Sequence, residues 1–268
     1  MKVYDYKKGI DISSHNGAVD MSKIKESGIE FVIIRLGYGK NENQIDKKFR
    51  ENYKNAKNAG IPIGVYLYSY AINCEDAKKE AELVLSSIKN LIIEYPIFLD
   101  MEDADNYKAT RNVSNSTLID ICETFCTEIE NAGYYVGIYA NLDWLNNKLN
   151  DKRLDKFDKW VAQWNDKCDY QKHYGMWQYS SKGKISGIVG NVDLNYAFKD
   201  YENIIKSAGL NNKGNIEKEH IVKKGENLST IAKQYNTSWK KIYEENKEVI
   251  GDNPNLILPG QKLIISKE

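Results

Sequence analysis

The sequence predicts an α/β chain: a β/α barrel of the TIM type over residues 1–205, then a small α+β unit. Three observations point there. Strand-length apolar runs alternate with helix-length amphipathic segments, a pattern that implies a parallel sheet. Eight such strands can be found, enough to close the sheet. Acidic and aromatic residues gather near the strands' C-terminal ends, where barrels of this type carry their chemistry.

Residues 8–13 read as a short strand ending in polar residues. Asp11 sits there among apolar neighbours, an expensive place for a charge unless it is paired or used. Residues 22–28 form a helical turn closed by glycine. Residues 31–37 are a nearly continuous apolar strand, as expected when both faces are buried. Residues 46–59 have helical spacing (Phe49, Tyr53, Ala56) and end at Gly60. The next strand, 62–70, puts Val65, Leu67 and Ser69 on one face and Tyr66, Tyr68 and Tyr70 on the other. Residues 74–91 are a helix striped by Ala77, Ala81, Val84, Leu85 and Ile88.

The fourth strand is Tyr95-Pro96-Ile97-Phe98-Leu99-Asp100-Met101-Glu102-Asp103. Pro96 fits at a strand's first residue. Side chains alternate along a strand, so Asp100 and Glu102 point one way and Met101 the other. Like-charge repulsion between neighbouring carboxylates is expected to raise one pKa and leave the other group charged. An acid and a base held together suit cleavage of a glycosidic bond. The alternative is a solvated acidic strand end, to which Asp103 and Asp105 contribute.

A helix over 115–132 ends at Gly133, and residues 135–140 form the fifth strand. Residues 141–149 read as helical, while 160–164, 176–179 and 192–195 are strands six to eight, with short, irregular crossovers. Asp11, Asp100, Glu102 and Asp193 thus fall at or near strand ends. Tyr66, Tyr68, Tyr139, Trp164, Trp177 and Tyr179 do too; such rings suit the apolar faces of sugars, or ordinary core packing.

Zero net charge leaves no electrostatic footprint for nucleic acid. No apolar run is long enough to span a bilayer. Residues 1–6 lack the apolar core of a signal peptide, so a protein made in the cytoplasm is expected, with any route outward supplied by something else. The four cysteines form no CxxC pair and there are only three histidines, so no zinc site is expected. Cys122 and Cys126 share a helix face, and buried free thiols are expected rather than a disulfide framework.

At the level of motifs, the first 200 residues carry an ordered set of segments that matches the pattern of a known family. The matching segments are Gly9-Ile10-Asp11-Ile12-Ser13 with His15-Asn16-Gly17, Phe31-Val32-Ile33-Ile34-Arg35 and Gly64-Val65-Tyr66. Phe98-Leu99-Asp100-Met101-Glu102, Trp160-Val161-Ala162-Gln163-Trp164, Trp177-Gln178-Tyr179 and Val192-Asp193-Leu194-Asn195 complete the ordered set. This set resembles glycoside hydrolase family 25, the N-acetylmuramidases of phage-endolysin type, and the resemblance implies a barrel that cuts the β-1,4 bond after N-acetylmuramic acid in peptidoglycan, without metal or organic cofactor. It implies Glu102 as acid/base, Asp100 as the group that positions the acetamido substituent or steadies the developing cation, and Asp11 and Asp193 as supporting acids. Arg35, Gln163 and Gln178 in the matching segments are expected at the substrate with the aromatic residues. Met21 stands where tryptophan often occurs, and Leu67 where histidine or an aromatic is common, which bears on outer subsites.

Residues 206–218 read as a polar linker. Residues 219–268 then run strand, glycine turn, helix, a second helix from Trp239 to Asn246, a loop over 247–253, and a strand. This segment resembles a LysM module, of two strands and two helices, with Glu226-Asn227 where Asp-Thr is frequent. The resemblance implies a glycan groove between Gly225, Glu226, Asn227, Leu228 and Ser229 on one side and Asn255, Leu256 and Ile257 on the other. The expected whole is a peptidoglycan hydrolase with a wall-binding tail. A wall-binding protein with a relic barrel and an endo-chitinase are the alternatives; retention of all four acids speaks against the former.

Overall fold

The computed structural model describes residues 6–211 and 216–266. Eight strands close into a barrel in chain order: β1 (Lys7–Ile12), β2 (Phe31–Tyr38), β3 (Ile63–Tyr68), β4 (Ile97–Asp100), β5 (Val136–Asn141), β6 (Asp158–Ala162), β7 (Met176–Gly183) and β8 (Val192–Ala197). Helices α1 (Met21–Glu26), α2 (Phe49–Ala59), α3 (Cys74–Ile88) and α4 (Asn115–Asn131) fill the first, second, third and fourth crossovers. Each begins where the sequence changes from extended to helical. Asp20, Asn73 and Ser114 cap α1, α3 and α4 by accepting from first-turn N–H groups, and α2 ends at Gly60 in the left-handed region. Between β5 and β6 the chain forms two short helical turns, Trp144–Lys148, within the residues expected to be a helix, and Lys152–Leu154.

The expectation of an all-parallel sheet needs correcting at its last strand. β1 to β7 run parallel, but β8 is antiparallel to both β7 and β1. Residues 184–191 join β7 to β8, and a parallel return needs a crossover of about a dozen residues or more. The chain therefore comes back as a hairpin. Asp193 consequently lies at the start of its strand, yet at the barrel end shared by the C-termini of the other seven, paired directly with Asp11.

Two apolar layers hold the barrel. Outside the sheet, residues such as Ile10, Ile12, Val65, Leu67, Leu99 and Met101 pack against the helices. Inside, Phe31, Ile33, Phe98, Trp160, Met176 and Ala197 fill the lumen. Glycines make room for these rings: a Cβ on Gly9 would stand 2.2 Å from the Phe31 ring, and one on Gly137 2.6 Å from Phe98. Small positions facing large ones let a narrow barrel interior fill completely.

The lumen is closed from below by α5 (Tyr201–Ser207), whose Tyr201 and Ile205 are fully buried against Tyr95 and Tyr135. Asn211 follows, buried, with its side chain accepting from Tyr135 N–H at 2.7 Å and donating to Ile93 and Tyr95 oxygens at 3.1 and 3.0 Å. The boundary expected at residue 205 thus falls inside α5, because the plug that seals the barrel floor lies beyond the last strand. Residues 212–215 of the expected linker lie outside the described residues.

The second unit pairs β9 (Ile216–Ile221) with β10 (Lys262–Ser266), antiparallel, over α6 (Leu228–Gln234) and α7 (Trp239–Glu245). Val222, Leu228, Ile231, Ile242, Leu263 and Ile265 form its core. Part of the loop expected over 247–253 is instead a helical turn, α8 (Lys247–Ile250). Ile250 enters the unit's own core while Val249 packs with the barrel's outer layer, beside an Arg50–Glu248 ion pair of 3.3 Å. All four cysteines are free; Cys122 and Cys126 are buried as expected, whereas Cys74, opening α3, is exposed.

Candidate active site

Strand alternation aims Asp100 and Glu102 into one cleft of about 250 Å³ at the barrel mouth, and sends Met101 into the outer layer. Asp11 and Asp193 enter the same cleft from adjacent, directly paired positions. The four acids that the sequence placed near strand ends therefore meet in one cleft. The curled-back β8 is what brings the fourth.

A hydrogen-bond chain orients Asp11. Its Oδ2 accepts from Gln178 Nε2 at 3.0 Å and from Asn195 Nδ2 at 2.8 Å. Asn195 Oδ1 in turn accepts from Trp160 Nε1 at 2.8 Å. Gln178 Oε1 accepts from both the Tyr139 hydroxyl and Trp164 Nε1 at 3.1 Å. Asp100 is the contrast: it is buried, and its Oδ1 has no hydrogen-bond partner.

All four acids hold their protons more tightly than usual. Burial is the largest cause for Asp11, raised to about 7, and the facing Asp193 adds to it against the bonds from Asn195 and Gln178. Burial raises Asp193 to about 6. Asp100 is pushed up by burial first and by Glu102 second, with Lys108 and Arg35 opposing. Glu102 is raised by burial, opposed by Lys108 and supported by Asp193 and Asp105. The expectation that mutual repulsion raises one group of the pair is corrected in its cause: both are raised, and desolvation comes before repulsion. A carboxyl kept protonated toward neutral pH is equipped to act as a general acid.

The remaining expected substrate residues divide. Tyr66, Tyr139, Trp164 and Gln178 line the acid cleft, and Trp164 is 65% exposed, its face open to a ligand. Arg35 and Tyr68 line a neighbouring groove of about 650 Å³ with Ser14, His15 and Tyr70. Arg35 is committed to Asp46 Oδ2 at 2.7 Å, and the Tyr68 hydroxyl accepts from Ala104 N–H at 3.2 Å. Gln163 and Trp177 do not line the acid cleft. Gln163 Nε2 donates to Asp169 at 2.6 Å, and its main-chain oxygen accepts from Trp177 Nε1 at 2.8 Å. Gln178 faces the acids, so its neighbours Trp177 and Tyr179 lie on the other side of β7 and pack with Tyr196. Trp160, Asn195 and Lys108 were not singled out from sequence. The first two lay inside quoted motifs and carried the alternation signal; Lys108 carried none.

In the second unit, Gly225 makes the turn with φ +89°, and Asn227 caps α6 by accepting from Thr230 N–H at 2.9 Å. Glu226 accepts from Lys223 N–H at 2.7 Å and lies 2.8 Å from His220 Nε2. Leu228 is buried in the unit's core, so only its backbone can border a groove; Ser229, Asn255 and Leu256 are exposed and Ile257 is partly buried. Among the described residues, no three His, Cys, Asp or Glu side chains come together as a metal site, and no helix is long and apolar enough to cross a membrane.

Fold and site together define a β/α barrel with an acid-lined mouth joined to a small α+β module. Residues 10–188 match the profile of glycosyl hydrolases family 25, and residues 220–266 match the LysM domain. The chain belongs to glycosyl hydrolases family 25. It is similar to the autolytic lysozyme of Clostridium acetobutylicum, with 31% identity covering 70% of this chain and 54% of that protein. Among solved structures, the modular autolysin LytC of Streptococcus pneumoniae in complex with a synthetic peptidoglycan ligand shares 32% identity at a TM-score of 0.63, covering 71% of this chain and 46% of that one. The bacterial lysozyme of Streptomyces coelicolor shares 26% at a TM-score of 0.64, covering 77% and 98%. The chain spans about half the length of the first two of these relatives.

Proposed function

We propose that this protein is a peptidoglycan hydrolase, a lysozyme that cleaves the β-1,4 bond between N-acetylmuramic acid and N-acetylglucosamine, with the LysM module holding it to wall glycan. The observation that carries the reading is the pair Asp100 and Glu102 on one strand face, in a sugar-sized cleft, one with an unpartnered oxygen and both with raised pKa. Family membership and relatives named as lysozymes and autolysins support it. Glu102 protonates the leaving glycosidic oxygen. Asp100 serves the other side of the same sugar, and Asp11, held by Gln178 and Asn195, stands with Asp193 beside them. The module's part is to raise the local concentration of a barrel that acts on the same polymer.

The test is digestion of purified cell walls, followed by turbidity, with mass spectrometry of the fragments. New reducing ends on N-acetylmuramic acid are expected. New N-acetylglucosamine ends, or activity on chitin alone, would replace the muramidase assignment by a chitinase-like one. Glu102→Gln is nearly isosteric and should lower the rate by about 10²–10⁴-fold while folding normally by circular dichroism. A variant retaining more than about a tenth of the rate would show that Glu102 is not the acid.

A further inference from the structure

Lys108 lies on the loop after β4, only 2% exposed. Its ammonium donates to the main-chain oxygen of Glu102 at 2.8 Å and to that of Ser69, just beyond β3. The Tyr68 and Tyr70 ring centres lie 5.6 and 5.9 Å away. Its own N–H donates to Asp103 Oδ1 at 2.7 Å, and Asp103 Oδ2 accepts from Ala109 N–H at 2.8 Å, so the loop closes on itself. On the far side of Ser69, Glu80 of α3 accepts from the Ser69 hydroxyl at 2.8 Å and from Tyr70 N–H at 2.7 Å. The titratable groups facing Lys108 are thus Glu80 from α3, Asp103 from its own loop, Asp100 from β4 and Cys122 from α4, with the two tyrosines from β3 and its end. Those facing Glu102 are Lys108, Asp193 from β8, Tyr68 from β3, Tyr139 from β5, and Asp105 and Asp100 from its own stretch of chain.

We propose that Lys108 is a positioning residue for the hydrolytic site: its buried ammonium pins the main chain at Glu102 to the end of β3 and supplies positive potential beneath the Asp100–Glu102 pair. The proposal rests on Glu102 being the acid. A cation this deep is costly unless it is paired or used, and this one spans the ends of β3 and β4 directly beside the acid pair. Its two main-chain contacts set where the Glu102 backbone leaves the strand. Its charge opposes the burial that raises both carboxyls, which keeps Glu102 able to release its proton within the working range.

The experiment compares the full-length wild type with Lys108→Met on soluble muroglycan fragments across pH. Without the ammonium, Glu102 binds its proton more tightly, so the basic limb of the profile should move up by about one pH unit. Loss of positioning should lower kcat by about tenfold, with KM changed by less than about threefold. Lys108→Met leaves Glu80 facing an apolar neighbour, so Lys108→Met with Glu80→Gln, which removes both buried charges at similar volume, is measured beside it. The same upward movement is expected there. A limb that stays at its wild-type position in either folded variant, with only thermal stability lowered, would overturn the proposal and make Lys108 a purely structural residue. Failure of the underlying reading looks different: Glu102→Gln would remain active, whatever the Lys108 variants do.

Discussion

Desolvation governs the residues of the cleft. Asp11 is held by Gln178 and Asn195, Asp193 stands directly across from it in the sheet, and neither is assigned the proton transfer. Asp11→Asn and Asp193→Asn should therefore lower the rate less than Glu102→Gln, measured on one substrate at one pH; a larger loss from either would move the acid role to it. Asp100 Oδ1 has no partner within the protein, so a substrate amide N–H can satisfy it. We expect the 2-acetamido oxygen of the substrate to attack the anomeric carbon while Asp100 holds that amide, an arrangement in which the product keeps its configuration. NMR of the first-formed anomer checks this, and an inverted product would exclude it. Glu80, away from the reacting sugar, carries a stability prediction. Burial raises its pKa from 4.5 to about 7, against hydrogen bonds from Ser69 and Tyr70 and the charge of Lys108. The native state then keeps a proton that the unfolded chain gives up between those values, so stability falls as pH rises through that window. The contribution is on the order of 3 kcal/mol, at 1.36 kcal/mol per pKa unit. Glu80→Gln should shrink the fall in melting temperature between pH 5 and 8; an unchanged fall would mean that Glu80 titrates normally.

At the scale of elements, the strand interiors set how the mouth is shaped. Phe31 occupies the space beside Gly9, and β1 delivers Asp11 two residues further along the same face. A methyl at Gly9 meets the ring at 2.2 Å and must displace it or part the strands. Gly9→Ala should cost about 1–3 kcal/mol, the usual range for overpacking a filled core, measured by urea unfolding. It should also lower activity, since β1 carries Asp11; an unaffected protein would mean that the lumen is looser than its packing implies. The hairpin of β7 and β8 is the other shaping element. It replaces a helical crossover and turns Asp193 and Asn195 toward Asp11 from a strand that starts at the mouth.

At the scale of the molecule, the barrel needs a floor as well as eight strands. Tyr201 and Ile205 plug the lumen, and Asn211 ties the following segment to residues 93, 95 and 135. A chain truncated after Asn211 should fold and cut soluble glycan fragments, yet sediment less with intact walls, because the LysM module proposed to hold the wall is gone. Truncation after Lys206 removes four hydrogen bonds between Asn211 and main-chain groups of the barrel, three from its side chain and one from its N–H to the Gly133 oxygen. At about 1 kcal/mol each, it should be less stable than the longer form by a few kcal/mol in urea. Equal stability of the two would show that the Asn211 contacts contribute nothing, and equal wall binding by truncated and full-length protein would remove the module from the binding role.

What the sequence determined by itself was whatever depends on local periodicity. Alternation along residues 95–103 separated Asp100 and Glu102 from Met101, glycines marked helix ends, and apolar runs located all eight strands. Motif order was enough to point to the family. What only the tertiary structure decided depends on which distant segments meet. The direction of β8 follows from a connection too short for a crossover, and it was this reversal that paired Asp193 with Asp11. The parity of β7 sends Trp177 away from the acids while Gln178 faces them, a choice fixed by register with β6 and β8 rather than by residue type. The plug formed by α5 and the cation at Lys108 left no sequence signal, since a short amphipathic turn and a single lysine in a polar loop look the same whether exposed or buried. The pKa values belong here too: repulsion between neighbours can be read along a strand, but desolvation, the larger cause in all four acids, exists only once the barrel has closed around them.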